Sequence, residues 1–171
     1  TQGADMTKEI AIIMGSDSDL PTMREAATIL DQFTVEYEID IVSAHRTPHW
    51  MLEFAENAHK RGIKIIIAGA GGAAHLPGMV ASLTPLPVIG VPIKTEKAFG
   101  DGMDALLSIC QMPKGVPVAT VGVDNAANAG LLAVRMLGCQ KAPLLNEVID
   151  YQKGLLAKVE EKRQNIRNLK P

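Results

Sequence analysis

Apolar residues follow two different periods along this chain, and segments of the two kinds alternate. Residues 9–15 form a short aliphatic run that ends in glycine, which is typical of a strand buried on both faces. From Leu20 to Phe33 the apolar residues recur at helical spacing, and Pro21 occupies the first turn, where its missing N–H does no harm. Strand-like and helix-like segments then follow one another to the end of the chain.

This alternation predicts a series of strands and helices. The strands are predicted at residues 9–15, 35–42, 63–68, 87–93 and 116–123. The helices are predicted at residues 20–33, 47–61, 79–83, 103–112, 126–137 and 143–169. The second strand alternates apolar with acidic residues, so one of its faces should be wetter than the other. The third strand is the most continuous β-branched run and should lie at the centre of a sheet.

Strands and helices in this order are typical of an α/β fold in which helices cover both faces of a parallel sheet. We expect a three-layer sandwich with a five-stranded parallel sheet, flavodoxin-like or Rossmann-like, plus a C-terminal helical arm. A single domain is expected over residues 7–171, with the α/β core at residues 7–138 and the C-terminal helix at residues 143–169. The arm carries an apolar stripe, which either covers an edge of the core or docks on another subunit.

The composition argues against several functional classes. The 17 basic and 19 acidic side chains give a formal net charge of −2, without the basic excess of a nucleic-acid-binding protein. No apolar run approaches the roughly 18 residues of a membrane-spanning helix. Residues 1–6 lack the features of a secretory signal and are expected to be a tag remnant before a native start at Met6. Cys110 and Cys139 form no CxxC motif, and a reducing cytoplasm is the expected location.

A candidate site follows from the predicted sheet, because ligands of open parallel sheets bind at the carboxyl ends of the strands. After the first strand, Ser16 and Ser18 lie beside a helix N-terminus, a combination that favours an anion such as phosphate. Asp17 and Asp19 would repel that anion, but they suit a ribose diol beside it. Alternatively, Ser18 or Asp19 only caps the helix. The turn matches neither a dinucleotide-binding fingerprint nor a Walker loop.

The turn after the second strand has His45 beside Arg46. Arg46 supplies a fixed positive charge and a planar fork for a phosphate or carboxylate. Histidine is the side chain best suited to proton transfer near neutral pH. Such a pair is often an ordinary exposed loop pair, but at the end of a buried strand it is a candidate for catalysis. His49 and His59, on the following helix, are expected at the surface.

The turn after the third strand is built of small residues and ends at His75. Gly71 and its glycine neighbours allow the backbone to approach a flat or charged ligand, and the alanines keep the wall apolar. Alternatively, the small residues only serve a tight strand-to-helix connection. The sequence has no nucleophile elbow and no carboxylate–histidine cluster for zinc or magnesium. Together the turns indicate acid–base chemistry, without a cofactor, on a small phosphorylated molecule.

Six segments of the chain resemble one family. They are MGSDSD (14–19), VSAHRTP (42–48), AGAGGAAHLPGMVA (68–81), PVIGVP (87–92), QMPKGVPVATV (111–121) and NAANAGLLAVRMLG (125–138). The family is that of the bacterial-type 5-(carboxyamino)imidazole ribonucleotide mutases of purine biosynthesis, also called the phosphoribosylaminoimidazole carboxylase catalytic subunit. The resemblance covers residues 10–138. The loop at residues 94–102 is longer and more charged than is typical of the family, and residues 139–171 match none of its motifs.

The resemblance implies a reaction and a set of residue roles. The family moves a carboxylate from the exocyclic nitrogen of the aminoimidazole ribonucleotide to ring carbon 4, with no metal and no organic cofactor. By resemblance His45 is the general acid–base. The substrate contacts implied by the resemblance are Ser16, Ser18, Asp19, Ser43, Arg46, Gly71, His75 and Leu76. The family also assembles as homo-octamers, so a homo-oligomer, with neither nucleic acid nor membrane as a partner, is expected.

Two other functions stay open at the level of the sequence. The first is direct carboxylation of the aminoimidazole ribonucleotide with carbon dioxide, the reaction of the animal-type relatives. Those relatives depart from the AAHLPGM string that this chain carries. The second is a non-catalytic flavodoxin-like module that binds FMN or a regulatory nucleotide. That module would have no need of His45.

Overall fold

The structure is a computed structural model that describes residues 8–169. The expected tag remnant and native start at Met6 lie outside the described residues. A five-stranded parallel sheet forms the centre of the fold, in the order β2-β1-β3-β4-β5. Its strands are β1 (Ile10–Met14), β2 (Tyr37–Ile41), β3 (Ile65–Gly71), β4 (Val88–Ile93) and β5 (Ala119–Thr120). This is the flavodoxin-like order, and the predicted α/β fold class is confirmed.

Helices connect the strands and follow the last of them. They are α1 (Leu20–Gln32), α2 (Pro48–Asn57), α3 (Leu76–Leu83), α4 (Met103–Cys110), α5 (Ala126–Gly138) and α6 (Ala142–Arg167). A proline stands in the first turn of α1, α2, α3 and α6, where the absent N–H would have no intrahelical partner. After α2 a short 3₁₀ segment ends at Gly62, whose φ of 96° needs the left-handed freedom of glycine.

Each face of the sheet is covered by its own helices. Alternate strand residues such as Ile13 and Ile66 join one apolar cluster with buried residues of α2, α3 and α4. On the other face, Gly69 of β3 leaves room for Met23 of α1: a Cβ at position 69 would lie 2.3 Å from the Met23 sulfur. Gly130 of α5 packs in turn on the backbone of Ala26 in α1. Because side chains alternate between the faces of a strand, continuous aliphatic runs fill both sides.

The structure corrects several of the predicted boundaries. β3 begins at Ile65 and continues through Gly71, so part of the small-residue turn belongs to the strand. α3 begins at Leu76, three residues before its predicted start. β5 has only two residues, Ala119 and Thr120, instead of the predicted eight. Pro117 has no N–H to give to a strand neighbour, which shortens the pairing from its N-terminal side.

Some apolar residues are more exposed than their spacing predicts. On the edge strand β2, Ile39 and Ile41 are 41% and 49% exposed, while the acidic residues that alternate with them, Glu38 and Asp40, are half-buried. One cause is the ion pair of Glu38 with Arg61, at 2.8 Å, which draws the carboxylate against the protein. Leu52 of α2 is 43% exposed, although Met51 and Phe54 of the same helix are buried.

The chain divides into two compact units, the first ending at Ala133 and the second beginning at Val134. The first unit contains the sheet and α1 to α4. The second contains the end of α5 and all of α6, in which Leu144 and Val148 are buried and Leu156 and Val159 are exposed. The expectation of one domain over residues 7–171 stays a prediction. Among the described residues, no helix combines the length and the apolar character that crossing a membrane requires.

Candidate active site

A pocket of about 310 Å³ opens at the carboxyl ends of β1, β2 and β3. Its lining includes nine residues proposed from the sequence: Ser16, Ser18, Asp19, Ser43, His45, Arg46, Gly71, His75 and Leu76. Asp17, also considered for a ribose diol, is not part of the lining. The prediction that the three turns face one another is confirmed. Parallel strands bring this about, because their carboxyl ends share one edge of the sheet whatever the sequence separation.

The turn after β1 is held by Ser16. The Ser16 Oγ accepts the backbone N–H of Ser18 at 3.4 Å and donates to the Asp17 carboxylate at 3.0 Å. A 3₁₀ turn over Asp17–Asp19 leads directly into α1. The N-cap residue of α1 is Asp19, and its side chain makes no capping hydrogen bond. Capping by Ser18 or Asp19 is therefore not the role of either side chain, and Ser16 organises the turn.

Asp19 is one of two buried polar side chains among the described residues, with 7% of its surface exposed. Burial raises the pKa of the Asp19 carboxyl above its ordinary value, because the charged form loses water contacts. Hydrogen bonds from the backbone N–H groups of Ser16 and Gly15, and the nearby charge of Arg46, oppose this rise. Asp19 is therefore a hydrogen-bond acceptor in the pocket lining that is largely shielded from water.

Arg46 joins the turn after β2 to the turn after β1. Its Nη2 donates to the carbonyl oxygen of Gly15 at 2.8 Å. Its backbone N–H and its Nε reach the Ser43 Oγ at 3.2 Å and 3.5 Å. Ser43 is itself buried, and its N–H donates to the Thr47 Oγ1 at 3.1 Å. Ser43 thus orients the arginine, and the guanidinium presents its remaining donors to the pocket.

The two histidines of the site touch each other. His45 Nε2 lies 2.7 Å from His75 Nδ1, and the rings meet edge to face with centroids 4.9 Å apart. His75 is the N-cap residue of α3. One of the two facing nitrogens must carry the hydrogen and the other must accept it. The pair therefore links the turn after β2 to the turn after β3.

One wall of the pocket is built of small residues. Ala70 and Gly71 end β3, Gly72 has the left-handed φ of 61°, and Ala73 leads to His75. A Cβ at position 71 would lie 2.4 Å from a methyl carbon of Thr95 and 2.8 Å from the carbonyl oxygen of Ile93. Only glycine fits there without displacing β4. Gly71 thus serves both the packing of β3 against β4 and the pocket wall.

Thr95, in the turn after β4, also lines the pocket, although no residue of that turn was predicted to belong to the site. The signal that could have found it is the one used for the other turns, since Thr95 follows a buried strand at the same sheet edge. His49 and His59 are exposed and lie outside the pocket lining, as expected. Within residues 8–169, no group of three or more His, Cys, Asp or Glu is arranged to hold a metal ion.

Known proteins resemble this chain in sequence and in fold. Residues 9–158 match the AIR carboxylase family. An N5-carboxyaminoimidazole ribonucleotide mutase of Thermotoga maritima is 58% identical over 160 residues, 94% of this chain and 92% of that protein. A chloroplastic phosphoribosylaminoimidazole carboxylase of Vigna aconitifolia is 63% identical over 143 residues, which are 84% of this chain but 25% of that longer protein. A crystal structure of Treponema denticola PurE superposes with a TM-score of 0.84 at 28% identity, covering 93% of this chain and 98% of that one.

Proposed function

This chain belongs to the AIR carboxylase family, and on that premise we propose that it is a 5-(carboxyamino)imidazole ribonucleotide mutase of purine biosynthesis. The reaction moves the carboxylate of the carbamate substrate from its exocyclic nitrogen to ring carbon 4. One observation carries the proposal. A histidine pair, an arginine and an apolar wall of small residues meet in one pocket of a chain that is 58% identical to a mutase.

In the first step the bond between the exocyclic nitrogen and the carboxylate carbon breaks. Its electron pair stays on the nitrogen, which takes a proton from His45, and carbon dioxide is released into the pocket. The 2.7 Å contact between His45 Nε2 and His75 Nδ1 supports this role. In protonated His45, Nε2 donates to His75, and the second ring nitrogen is left to protonate the substrate.

In the second step carbon 4 of the ring attacks the trapped carbon dioxide. A carbon–carbon bond forms, and His45 removes the proton from carbon 4, which restores its protonated form. Carbon dioxide offers few groups for binding, so the protein must confine it and exclude water. The small apolar wall at Ala70, Gly71 and Ala73 supports such confinement.

The remaining pocket residues hold the nucleotide in this proposal. Arg46 binds the phosphate by charge-assisted hydrogen bonds, with Ser16 and Ser18 beside it. Asp19 accepts hydrogen bonds from the ribose hydroxyls, and its burial supports the choice because little water competes for the carboxylate.

On the base side of the site, Gly71, His75 and Leu76 hold the aminoimidazole and the carboxylate. Ser43 contributes by holding Arg46. No metal and no organic cofactor enters the proposed chemistry. We also propose a cytoplasmic location and a homo-oligomer, most simply the octamer that the family resemblance implies. Nucleic acids and membranes are not proposed as partners.

The test is a direct assay with the carbamate substrate labelled with ¹³C at the carboxylate carbon. Added unlabelled bicarbonate serves as a competitor. The mutase should give the 4-carboxylated nucleotide with the label retained. His45→Asn is the matched control, because it keeps the size and hydrogen bonding of the side chain but cannot transfer a proton.

Direct carboxylation is the second candidate, since the relative from Vigna aconitifolia is named a carboxylase. It requires bicarbonate or carbon dioxide as a substrate, and its product would carry the unlabelled carbon. Turnover of the decarboxylated aminoimidazole nucleotide with bicarbonate, and none of the carbamate, would replace the mutase proposal by this one.

A further inference from the structure

Thr95 stands between two cavities. It is half-buried directly after β4 and lines the catalytic pocket. It also lines a second cavity of about 540 Å³, together with Ser18, Asp19 and residues 93–97. The methyl group of Thr95 covers Gly71 so closely that a Cβ on residue 71 would lie 2.4 Å from it. Thr95 therefore lies, with Ser18 and Asp19, at the boundary between the two cavities, and it is the one of the three that covers Gly71.

The position of Thr95 is set from the loop between β5 and α5. The Asp124 carboxylate accepts the backbone N–H of Lys94 at 2.9 Å. The Asp124 backbone N–H donates to the carbonyl oxygen of Pro92 at 2.8 Å. One residue thus holds the end of β4 on both sides of Ile93, and Thr95 follows immediately.

Asp124 is held in an uncommon backbone conformation. Its φ is 56°, in the left-handed region that a residue other than glycine seldom adopts. Asp and Asn tolerate this region better than other side chains, and strained residues persist where the surrounding structure requires them. The hydrogen bond from the Lys94 N–H explains why a side chain with an acceptor occupies position 124.

A second contact of the same loop is at the surface. The Lys94 ammonium pairs with Asp101 at 2.7 Å, but 50% and 88% of the two side chains are exposed. Exposed ion pairs contribute little to stability. Asp101 also has a left-handed φ of 56°, so it matches Asp124 in residue type and in backbone conformation. The two aspartates differ in the group that the carboxylate binds: Asp124 accepts a backbone N–H, and Asp101 pairs with an exposed ammonium.

We propose that Thr95 is a substrate-contacting residue that closes the side of the catalytic pocket, and that Asp124 is a positioning residue that acts through it. The inference rests on the proposed mutase function for its substrate. Thr95 limits how far the bound nucleotide can move toward the second cavity, so its loss weakens binding of substrate more than it slows the proton transfers at His45.

The first experiment compares Asp124→Gly with Asp124→Asn and Asp101→Gly, using kcat and KM for the carbamate substrate. Asp124→Gly removes the acceptor while relieving the backbone strain, and KM should rise about twofold to tenfold with a smaller change in kcat. Asp124→Asn keeps an oxygen acceptor and should retain the wild-type KM. Asp101→Gly should also retain it. An unchanged KM in Asp124→Gly, or an equal rise in Asp101→Gly, would overturn the assignment.

The second experiment is a double-mutant cycle with Thr95→Ala. If Asp124 acts through Thr95, adding Asp124→Gly to Thr95→Ala should leave KM where Thr95→Ala alone puts it. Fully additive changes in KM would show that Asp124 acts by another route. Thermal unfolding of every variant accompanies the kinetics, so that a loss of folded protein is not read as weaker binding.

Failure of the proposed function has a separate signature. If the wild-type protein does not convert the carbamate substrate, the mutase proposal fails whatever the variants do. The role of Asp124 in placing Thr95 is then tested by the NMR amide signals of Thr95 and Gly71. They should shift in Asp124→Gly and keep their wild-type positions in Asp101→Gly. Unchanged signals in both variants would refute the role of Asp124 in placing Thr95.

Discussion

In the proposed reaction His45 acts beside His75, and one contact joins these two residues, which lie 30 positions apart in the chain. We expect His45→Asn to lower kcat by about 10²–10⁴ while KM changes little, because the variant binds substrate but cannot transfer a proton. His75→Asn should be milder and act partly through KM, since Asn can still hydrogen-bond to the catalytic ring. Steady-state kinetics of both variants check this. If His75→Asn abolished activity and His45→Asn retained most of it, the two roles would have to be exchanged.

Arg46 is the arginine of the three predicted turns, and its guanidinium is already fixed by Gly15 and Ser43. Arg46→Ala should weaken substrate binding by about 1.5–3 kcal/mol, because a dianionic phosphate loses its charged partner. The KM of Arg46→Ala should depend less on ionic strength than the wild-type KM does, since the variant lacks the electrostatic attraction that salt screens. Arg24→Ala, an exposed arginine of α1, is the control. A wild-type KM in Arg46→Ala would mean that the phosphate binds elsewhere.

Asp19 should make stability depend on pH. Burial raises its pKa above 3.8, so the folded protein binds this proton more tightly than the unfolded chain does. Stability therefore falls as the pH rises from below 3.8 through the raised value, and the loss is complete above it. Asp19→Asn lacks this loss, so its thermal midpoint should exceed that of the wild type at pH 7.

The comparison at low pH completes the test of Asp19. Below pH 3.8 the carboxyl is protonated in both states, and the advantage of Asp19→Asn should disappear. Glu25→Gln, on the exposed face of α1, controls for the general loss of a negative charge. An advantage of Asp19→Asn that did not depend on pH would point to packing instead of ionisation.

At the scale of the elements, two glycines differ in what a side chain would do. At Gly71 it would clash with a neighbouring strand, and at Gly154 it would only restrict the backbone of a helix. Gly71 ends β3 against Ile93 of β4, and an added Cβ would meet a backbone oxygen at 2.8 Å. Gly71→Ala should therefore destabilise the protein by about 1–3 kcal/mol, because β4 must move. Gly154 lies inside α6, where nothing would contact an added Cβ within 4 Å.

Gly154→Ala should stabilise α6 by about 0.5–1 kcal/mol, since alanine loses less backbone freedom in a helix. For a chain of this size the thermal midpoint should rise by about 1–4 °C. Calorimetry of the two glycine variants measures whether the thermal midpoint falls for Gly71→Ala and rises for Gly154→Ala. A lower midpoint for Gly154→Ala would reveal a close partner at that position, and an unchanged midpoint for Gly71→Ala would show that the sheet edge is pliable.

At the scale of the whole molecule, the chain should assemble. Leu156, Val159 and Ile166 on α6 are 57–72% exposed, and such apolar surface is usually covered in closed symmetric assemblies. Light scattering at micromolar concentration should give a multiple of 18.3 kDa, with eight copies as the expected number. A truncation that removes α6 should change the assembled mass or the solubility. A stable monomer of the full chain would contradict the prediction.

The sequence alone determined the order of the elements and most of the polar residues that line the pocket. Both follow from local rules: aliphatic runs and helical spacing mark the elements, and parallel strands gather the turns at their carboxyl ends. This is why Ser16, Arg46 and His75 could be assigned to one site without coordinates, and all three line the pocket.

Only the tertiary structure decided the contacts between those turns. The continuation of β3 to Gly71 depends on pairing with Ile93 in β4, which no local pattern encodes. The bond between His45 and His75, the support of Arg46 by Ser43, and the place of Thr95 depend on distances of a few ångströms between segments far apart in the chain. A periodic pattern reports which face a residue occupies, but hydrogen bonds and close packing are settled by the backbone positions of several elements together.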